Sequence, residues 1–377
     1  MRADVVVVGL GSMGASVTQR LAGAGLRVVG LDRFDPPHTR GAHAGGSRII
    51  RMAYMESPDY VPLVRRSYDL WRELESVTGE TLLTTTGGLM LGPPDSMAVA
   101  GALAAARAHG LAHEVLDASE IRRRFPAFTP SDGEVALFEE ITGLVRPERA
   151  IAAQLRLARS AGADLRPGVP VERWRETGEG VAVTTPDGVV HGDRLVLAPG
   201  AWAAGLTGLS IPLRVERRVQ HYWRAADPDP HAIGRLPAWI WQYGPDEVAY
   251  GLPTVDGAAK AALHHGDDHV DPDAGAGEPT DAEVAAMRAW LAPRLPGLAA
   301  AEWAGAKPCL YTLTPDRNFV LGWHPEHPRV VVACGFSGHG FKFSPVVGEI
   351  VTDLVTTGST AHPIGLFDPG RFAGAPA

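Results

Sequence analysis

Four residues near the start of the chain have the types and spacing that bind a dinucleotide. Gly9, Gly11 and Gly14 form a G-x-G-x-x-G pattern directly after the apolar run 4–8, and Asp32 lies 18 positions beyond the last glycine. Such glycines allow a tight turn and let the backbone approach a pyrophosphate, and an acid at about this distance binds a ribose hydroxyl. The pattern therefore predicts a dinucleotide site, although by itself it does not separate NAD from FAD.

The residues around this pattern predict the elements that must position it. Residues 4–8 are apolar and β-branched, which favours a buried strand, residues 15–24 favour a helix, and residues 27–31 favour a second strand that Asp32 closes. The phosphates would then lie at the helix N-terminus, where unpaired N–H groups and the positive end of the dipole attract anions. The alternative is a glycine-rich turn in another α/β fold.

The lysines form a second group of chemical interest because they are so few. Of the 35 basic residues only Lys260, Lys307 and Lys342 are lysine, and the other 32 are arginine. Lysine is a compact charge whose pKa shifts readily, whereas arginine is a wide and permanently charged fork. A lysine kept in such a chain is a candidate for a role that arginine cannot fill, the alternative being three incidental surface lysines.

A glycine-rich segment, residues 41–47, leads into Arg48 and Arg51, which are three positions apart. This arrangement predicts a second helix N-terminus near the cofactor, with both arginines on one helix face. The alternative is a solvated amphipathic face, which fits poorly with the apolar Ile49, Ile50 and Met52 around them.

Composition excludes several classes of function. The net charge is −8 and no basic tract stands out, so neither nucleic acid nor an anionic membrane is expected as the main partner. No apolar run approaches the length that spans a bilayer, and the first predicted strand leaves no room for a signal peptide. The only cysteines, Cys309 and Cys334, cannot form a disulfide framework, which fits a cytoplasmic location, and no metal-ligand cluster is apparent.

The order of predicted elements indicates a chain of the α/β class with two interleaved domains. A Rossmann-like nucleotide-binding domain is predicted from residues 1–85, 145–212 and 310–377, and a second domain with a mixed, largely antiparallel sheet from 86–144 and 213–309. A sheet-rich domain threaded through a nucleotide-binding one is the simplest architecture for this order.

Three motifs resemble one known family. They are G-S-R-I-I-R-x-A-Y at residues 46–54, K-P-C-L-Y-T at 307–312 and G-F-S-G-H-G-F-K-F at 335–343. In order and spacing the chain is similar, over nearly its whole length, to the monomeric sarcosine oxidase and N-methyltryptophan oxidase family of FAD-dependent amine oxidases, which is related to D-amino acid oxidase. The resemblance implies a flavoprotein whose two domains bind FAD and substrate.

The resemblance gives Cys309 the role of the cysteine that bonds covalently to the flavin. A thiolate is needed for that attack, and Lys307 is the expected cation that lowers the thiol pKa. For a lone cysteine, a place in the core is the usual alternative, and this is the expectation for Cys334.

Four basic residues match positions that act on charge in the family. Arg51 and Lys342 correspond to the pair that grips the substrate carboxylate, a task that suits hydrogen-bonding cations in a partly buried site. Arg48 corresponds to an arginine placed against the flavin ring, and Lys260 to a lysine held near flavin N5 through water. Positive charge at that position would stabilise superoxide-like charge as reduced flavin meets oxygen.

The remaining matches concern the walls of the cavity. His264 and His339 correspond to histidines of the substrate cavity, although a lone histidine is more often a satisfied core residue, and Tyr250 and Trp241 are expected to contact substrate. The residues expected to contact the cofactor are Gly9, Gly11, Ser12, Met13, Gly14, Asp32, Arg33, His38, His43, Ser47, Arg48, Val171, Gly200, Trp202, Cys309, Gly338, Gly340, Phe341 and Lys342.

Two departures from the family pattern bear on the substrate. Ala44 stands where sarcosine oxidase has a histidine, and Ala249 where it has a tyrosine. These losses are expected to enlarge the pocket, with Trp239 and Trp241 refilling it with aromatic surface. A secondary amino acid bulkier than sarcosine is therefore the expected substrate.

The resemblance implies an oxidase that converts the C–N bond of an N-methyl or cyclic amino acid to an imine and reduces O2 to H2O2. A monomer acting on small molecules is expected. One alternative is a flavin-dependent amino acid dehydrogenase that uses another electron acceptor. A second alternative is a nucleotide-binding protein without catalytic activity.

Overall fold

The computed structural model describes residues 2–372, which fold into alternating helices and strands. The strands are β1 (Ala3–Val8), β2 (Val28–Leu31), β3 (Arg48–Ile50), β4 (Leu83–Thr85), β5 (Gly88–Gly92), β6 (Glu114–Asp117), β7 (Val135–Glu139), β8 (Gly143–Val145), β9 (Asp164–Arg166), β10 (Arg173–Thr177), β11 (Gly180–Thr185), β12 (Gly188–Leu197), β13 (Arg214–Arg224), β14 (Ala238–Gln242), β15 (Val248–Val255), β16 (Ala258–Leu263), β17 (Glu302–Leu313), β18 (Val320–Trp323) and β19 (Val330–Cys334). The α-helices are α1 (Ser12–Gly23), α2 (Val61–Thr78), α3 (Ala102–Ala108), α4 (Ala118–Arg124), α5 (Pro147–Ser160), α6 (Ala203–Leu206), α7 (Asp281–Leu291), α8 (Pro296–Ala299) and α9 (Ser344–Thr357).

The first sheet is built around five parallel strands in the order β9-β2-β1-β12-β19. Four of the six residues of strand β1 are valine, because both faces of the strand are covered, which is the usual condition of a parallel strand. One face contributes Val5 and Val7 to the core that also contains side chains of α1, α5 and α9. The other face places Val6 and Val8 in a second core with β11 and β19. The carboxyl end of β1 therefore delivers Gly9 directly to the N-terminus of α1.

The second sheet has eight strands in the order β17-β13-β16-β15-β14-β5-β7-β6. Every neighbouring pair is antiparallel except β14 and β5, which run parallel. Successive side chains on a strand point to opposite faces, and here one face holds a tryptophan-rich core packed against α7. The other face holds Ile240, Val248 and Tyr250 and turns toward the first sheet.

A small third sheet, in the order β3-β8-β4, corrects one sequence prediction. Arg48 begins the strand β3 and pairs with Val145 of β8, so the predicted second helix at this position is wrong. The β-branched Ile49 and Ile50 favour a strand, and pairing with β8 supplies the backbone hydrogen bonds that a helix would otherwise provide.

The predicted α/β class, with a parallel nucleotide-type sheet interleaved with a mixed sheet, is confirmed. The domain boundaries stay a prediction, and β17 crosses the one expected between residues 309 and 310. Residue 1 and residues 373–377, which the first predicted domain includes, lie outside the described part of the chain. None of the helices described here is long and apolar enough to cross a membrane.

Candidate active site

One long cavity of about 310 Å³ runs from the N-terminus of α1 to the inner face of the second sheet. It brings together most of the residues that the sequence singled out. Those that line it are Gly9, Gly11, Ser12, Met13, Asp32, Arg33, His38, His43, Arg48, Arg51, Val171, Gly200, Trp202, Tyr250, His264, Gly338, His339, Gly340, Phe341 and Lys342. Five do not line it, namely Gly14, Ser47, Trp241, Lys260 and Cys309.

Glycine is required at two points of the first turn. Gly9 has φ +90°, and a Cβ there would lie 2.3 Å from the carbonyl oxygen of Ala198. A Cβ on Gly14 would lie 1.7 Å from the carbonyl oxygen of Gly9, so α1 can pack this closely only without a side chain. Gly11 caps α1 without a side-chain acceptor, and the first turn of the helix carries no acidic residue. The free N–H groups and positive dipole end at the cavity fit a pyrophosphate.

Asp32 lies at the end of β2 with its carboxylate held by the backbone. Its two oxygens accept hydrogen bonds from the amides of Leu10 at 2.7 Å and Phe34 at 2.8 Å. Each carboxylate oxygen retains lone-pair capacity for a ribose hydroxyl. The arrangement supplies the acid that a dinucleotide site needs at this strand end.

Asp273, in the loop after β16, contacts two residues that line the same end of the cavity. Its carboxylate accepts a hydrogen bond from Trp202 Nε1 at 2.7 Å and forms an ion pair with Arg33 at 2.8 Å. The Arg33 guanidinium also lies 4.7 Å from the centre of the Trp202 ring. These contacts fix two of the residues expected to contact the cofactor.

Burial keeps His43, which lines the same end of the cavity, neutral. His43 is almost fully buried, and desolvation together with the neighbouring His38 lowers its pKa to about 4. Its Nε2 accepts a hydrogen bond from the amide of His38 at 3.3 Å. His43 thus presents a neutral ring to the cavity near pH 7.

Lys260 lies behind the cavity wall and uses all of its donors. Its Nζ contacts the carbonyl oxygens of Gly45 at 2.6 Å and Ser47 at 2.8 Å, and Oε1 of Gln220 at 3.0 Å. Burial, and then the charge of Arg48, lowers the pKa of this lysine well below its ordinary value. The ammonium group is therefore held in place by the loop that precedes β3.

Arg48 stands between Lys260 and the cavity. Its guanidinium donates to the carbonyl oxygens of Ala42, Ala44 and Ser47 and to Gln220, at 2.6–2.9 Å. These neutral acceptors hold the group without cancelling its charge, so the side chain presents a full positive charge to the cavity.

Cys309 is 1% exposed and lies beside the two cations. Burial raises the pKa of its thiol, while the charges of Arg48 and Lys260 act in the opposite direction. The sequence pointed instead to Lys307 as the activating cation. Lys307 is exposed on β17, and the positive charges that act most on the thiol are those of Arg48 and Lys260.

The far end of the cavity contains a buried ion pair. Arg51 is 2% exposed and donates to both carboxylate oxygens of Glu56, each at 2.7 Å, while its guanidinium lies 4.2 Å from the centre of the Tyr54 ring. Burial by itself would raise the pKa of Glu56, but Arg51, His339 and Lys342 lower it to about 2. Both partners of the pair are charged at neutral pH.

Lys342 is the second cation at this end. It is 6% exposed, and its Nζ donates to the carbonyl oxygen of His339 at 2.8 Å. Burial, and then the charge of Arg51, lowers its pKa to about 7. A negatively charged ligand that reached both cations would restore the protonated form.

His339 has a defined tautomer because of its two partners. Its Nε2 lies 3.0 Å from the carbonyl oxygen of Arg317, which can only accept, and its Nδ1 lies 2.5 Å from the Tyr54 hydroxyl. The proton therefore resides on Nε2, and Nδ1 accepts from Tyr54. Burial lowers the pKa of this ring to about 4, so it is neutral at pH 7.

His264 faces the cavity without a hydrogen-bond partner at Nδ1 among the described residues. Its ring packs edge-on against Tyr250 and Tyr311, with centroids 5.8 and 5.7 Å away. Burial, then His265, lowers the pKa of His264 well below its usual range. A buried ring nitrogen without a partner is a ready contact for a ligand.

The prediction that Trp241 contacts substrate is wrong. Trp241 is fully buried on the opposite face of β14, where its Nε1 donates to Glu134 at 2.7 Å and its ring packs edge-on against Trp290. Because side chains alternate along a strand, the neighbouring Ile240 lines the cavity instead. Trp239 lies on the same outer face and does not refill the cavity either.

The two alanines do not enlarge the cavity in the way the sequence suggested. Ala249 points into the tryptophan-rich core, away from the cavity that its neighbours Val248 and Tyr250 line. Ala44 is also buried, and its carbonyl oxygen accepts from Arg48 and Gln220. The cavity owes its apolar wall to Ile49, Met55, Ile240 and Val248 instead.

Sequence reasoning missed three further residues of the site. Tyr54 and Glu56 follow Arg51 within five positions, so their closeness to a predicted carboxylate-binding arginine was available as a signal. Gln220 lies in the middle of β13, and nothing in its sequence context indicates that it contacts Arg48 and Lys260.

Comparison with known proteins agrees with this geometry. Residues 4–354 match a family described as DAO, FAD dependent oxidoreductase. The chain is 47% identical to the monomeric sarcosine oxidase of Streptomyces avermitilis, over 99% of each chain, and 34% identical to the N-methyl-L-tryptophan oxidase of Salmonella arizonae, over 99% of this chain and 100% of that one. Among solved structures, NikD, an unusual amino acid oxidase essential for nikkomycin biosynthesis, aligns with a TM-score of 0.86 at 28% identity, covering 98% of this chain and 97% of that one. The family resemblance predicted from the three motifs is confirmed.

Proposed function

The chain belongs to the DAO family of FAD-dependent oxidoreductases, and from that premise we propose that it oxidises secondary amino acids, N-methyl or cyclic, to imines and reduces O2 to H2O2. The observation that carries the proposal is the convergence of Arg51 and Lys342 in the cavity that also reaches the N-terminus of α1. The two buried cations at one end of the cavity suit the carboxylate of an amino acid, and the glycine turn at the other end suits FAD.

The substrate carboxylate binds between Arg51 and Lys342. With Glu56 present and the lysine protonated, the three side chains sum to one positive charge, which a single carboxylate neutralises. Arg51 already donates to both oxygens of Glu56 from its Nη2 nitrogen, and a substrate carboxylate offers the same kind of acceptor. Glu56 therefore competes with the substrate for this nitrogen of Arg51.

The apolar wall favours a substrate bulkier than sarcosine. Ile49, Met55, Ile240 and Val248 lie around the same cavity as the two cations. An apolar side chain or ring gains roughly 25 cal/mol for each Å² of surface that it buries there. N-methyl amino acids with large side chains and cyclic amino acids carry apolar surface that can be buried against this wall.

When bound, the flavin accepts a hydride equivalent from the carbon next to nitrogen and passes the electrons to dioxygen. Arg48 and Lys260 supply positive charge on the flavin side of the cavity, which stabilises anionic reduced and superoxide-like states. Neutral His264 offers the amine a ring nitrogen that has no partner among the described residues, without adding charge, whereas His339, whose two nitrogens are already hydrogen-bonded, shapes the cavity wall.

Cys309 is the proposed point of covalent attachment to the flavin. With FAD bound, the Cys309 sulfur would hold the group through a thioether bond that replaces the S–H bond of the thiol and one C–H bond of a flavin methyl group. Dioxygen would take up the two electrons and two protons that this releases, as hydrogen peroxide. Arg48 and Lys260 favour the thiolate that formation of this bond requires.

We also propose that the enzyme acts as a monomer in the cytoplasm.

A peroxide-coupled screen tests the proposal. Purified protein is incubated with N-methyl and cyclic amino acids of increasing size, with the corresponding primary amino acids as controls. The proposal expects peroxide from secondary amino acids and higher kcat/KM for bulky ones than for sarcosine. Flavin reduction by these amino acids without peroxide would instead identify a dehydrogenase with another electron acceptor. No flavin reduction by any of them would overturn the assigned activity.

A further inference from the structure

A buried glutamine joins the two cations on the flavin side of the cavity. Gln220 lies on β13 and is 0% exposed. Its Oε1 accepts from Arg48 Nη1 at 2.9 Å and from Lys260 Nζ at 3.0 Å, and its Nε2 donates to the carbonyl oxygen of Ala44 at 3.0 Å. One amide thus bridges two positive charges and fastens the loop that wraps them.

The bridge opposes a specific repulsion. The half-buried Arg48 and the buried Lys260 share one acceptor oxygen. Each charge therefore disfavours the other, in agreement with the lowered pKa of Lys260. A neutral oxygen with two lone pairs holds both groups without cancelling either charge. An apolar side chain at this position would leave each cation short of one acceptor, which is costly in a buried site.

The loop in front of β3 is shaped to this glutamine. A Cβ on Gly45, whose φ is +119°, would lie 2.5 Å from Oε1 of Gln220, so the loop approaches the amide as closely as glycine permits. Gly45 and Ser47 supply the other two acceptors of Lys260. The two loop amides at Gly45 and Gly46 are in turn anchored by Glu148 Oε1, at 2.8 and 2.9 Å.

We propose that Gln220 is a positioning residue that sets the spacing of Arg48 and Lys260 beside Cys309, and so controls both the reaction of reduced flavin with oxygen and the attachment of the flavin. This inference rests on the proposed function. It predicts that loss of the bridge affects the oxygen half-reaction and the covalent link far more than it affects reduction by substrate.

The test compares three variants of the full-length flavoprotein. Gln220→Leu keeps approximate size and removes both the shared acceptor oxygen and the amide donor, and Gln220→Glu keeps an acceptor oxygen but replaces the amide donor by a negatively charged oxygen. Gln154→Leu is the matched control, because Gln154 is also a buried glutamine, lies on α5 away from the cavity lining and has no partner for its Oε1 among the described residues. Each protein is reduced with dithionite and mixed with oxygenated buffer. The flavin that stays with the chain after acid precipitation is measured separately.

In both Gln220 variants the reduced flavin is expected to reoxidise about tenfold more slowly than in wild type, and a smaller fraction of the flavin is expected to be covalently attached. The leucine variant loses the hydrogen bonds to Arg48 and Lys260, and the glutamate variant offsets the charge of these two cations. Reduction by substrate is expected to change less than about threefold, and Gln154→Leu to match wild type. If the leucine variant does not fold, the glutamate variant alone decides the question. The proposal would be overturned by a folded Gln220 variant whose flavin reoxidises at the wild-type rate and is covalently attached to the wild-type extent. Dithionite reduction needs no substrate, so a failure of the proposed activity would be seen separately, as wild-type flavin that amino acids do not reduce.

Discussion

At the residue scale, three buried cations and the half-buried Arg48 differ in the hydrogen-bond acceptors that hold them at the cavity. Arg48 and Lys260 are surrounded by neutral carbonyl and amide oxygens, so their charge reaches the cavity. Arg51 is paired with a carboxylate. Lys342 has one short hydrogen bond and a pKa lowered to about 7. Lys342 is therefore the cation whose charge a ligand most readily changes.

Carboxylate binding is expected to weaken with rising pH because of Lys342. The pKa of this lysine is about 7 in the free protein, and a bound carboxylate raises it, so the complex holds the proton to higher pH. Affinity for an amine-free aliphatic carboxylate should be highest below pH 7. Above pH 7 it should fall by at most about tenfold per pH unit, until the raised pKa is passed. Calorimetric titration of the oxidised protein between pH 6 and 9 measures this.

Two variants isolate the contribution of Lys342. Lys342→Met should bind the same carboxylate weakly and with little pH dependence over this range. Lys307→Met, which removes an exposed lysine on β17, should behave like wild type. A pH dependence that persisted in Lys342→Met would assign the titrating group to another residue.

Lys260 is expected to act on oxygen rather than on substrate. Lys260→Met removes the charge that three acceptors hold behind Arg48. Flavin reduction by substrate should survive, whereas reoxidation should slow by about 100-fold, the usual scale for losing one preorganised charged donor. Stopped-flow measurement of the two half-reactions separates them. Equal loss in both would refute the assigned role, and Lys307→Met is again the control.

At the element scale, the first turn and the alternation of side chains on strands decide which residues face the cavity. The strand, glycine turn and helix around Gly9 could be predicted because each local signal pointed to the same structure. Trp241 could not be placed, because a strand pattern gives the alternation but not which face is turned to the ligand. Both faces of β14 are apolar, with Ile240 on one and Trp241 on the other. Only the packing of the second sheet against the first distinguishes them.

A pair of glycine substitutions in α1 tests the packing of this turn. In Gly14→Ala the new Cβ would meet the carbonyl oxygen of Gly9, so α1 must move away from β1. We expect a loss of about 1–3 kcal/mol in unfolding free energy together with much lower FAD content. Thermal unfolding and the visible flavin absorbance of the purified protein measure the two effects.

Gly23→Ala in the same helix is the matched control. A Cβ there meets no atom within 4 Å, so the substitution should stabilise the protein by about 0.5–1 kcal/mol with unchanged FAD content. Normal flavin content in Gly14→Ala would show that this close contact is not needed for the cofactor site.

At the scale of the whole molecule, an acidic chain encloses a cationic cavity. The net charge is −8, yet the buried Arg51, Lys260 and Lys342 and the half-buried Arg48 lie in or just behind the wall of one cavity. They come from distant parts of the chain, at positions 48, 51, 260 and 342. Arg48, Arg51 and Lys342 lie within the three motifs, and Lys260 could be predicted because the family resemblance covers nearly the whole chain. Of the partners that tune these cations, Glu56 lies five positions from Arg51 and could have been found from the sequence, whereas Gln220 depends on strand packing that no local signal encodes.

An anaerobic titration tests whether secondary amino acids reduce the bound flavin and oxygen reoxidises it. Purified protein is mixed with a bulky N-methyl amino acid in the absence of oxygen while its visible flavin absorbance is recorded, and oxygen is then admitted. We expect the substrate to bleach the flavin, and oxygen to restore the absorbance with one equivalent of hydrogen peroxide per flavin reoxidised. A flavin that neither N-methyl nor cyclic amino acids bleach, or that stays bleached when oxygen is added, would contradict this expectation.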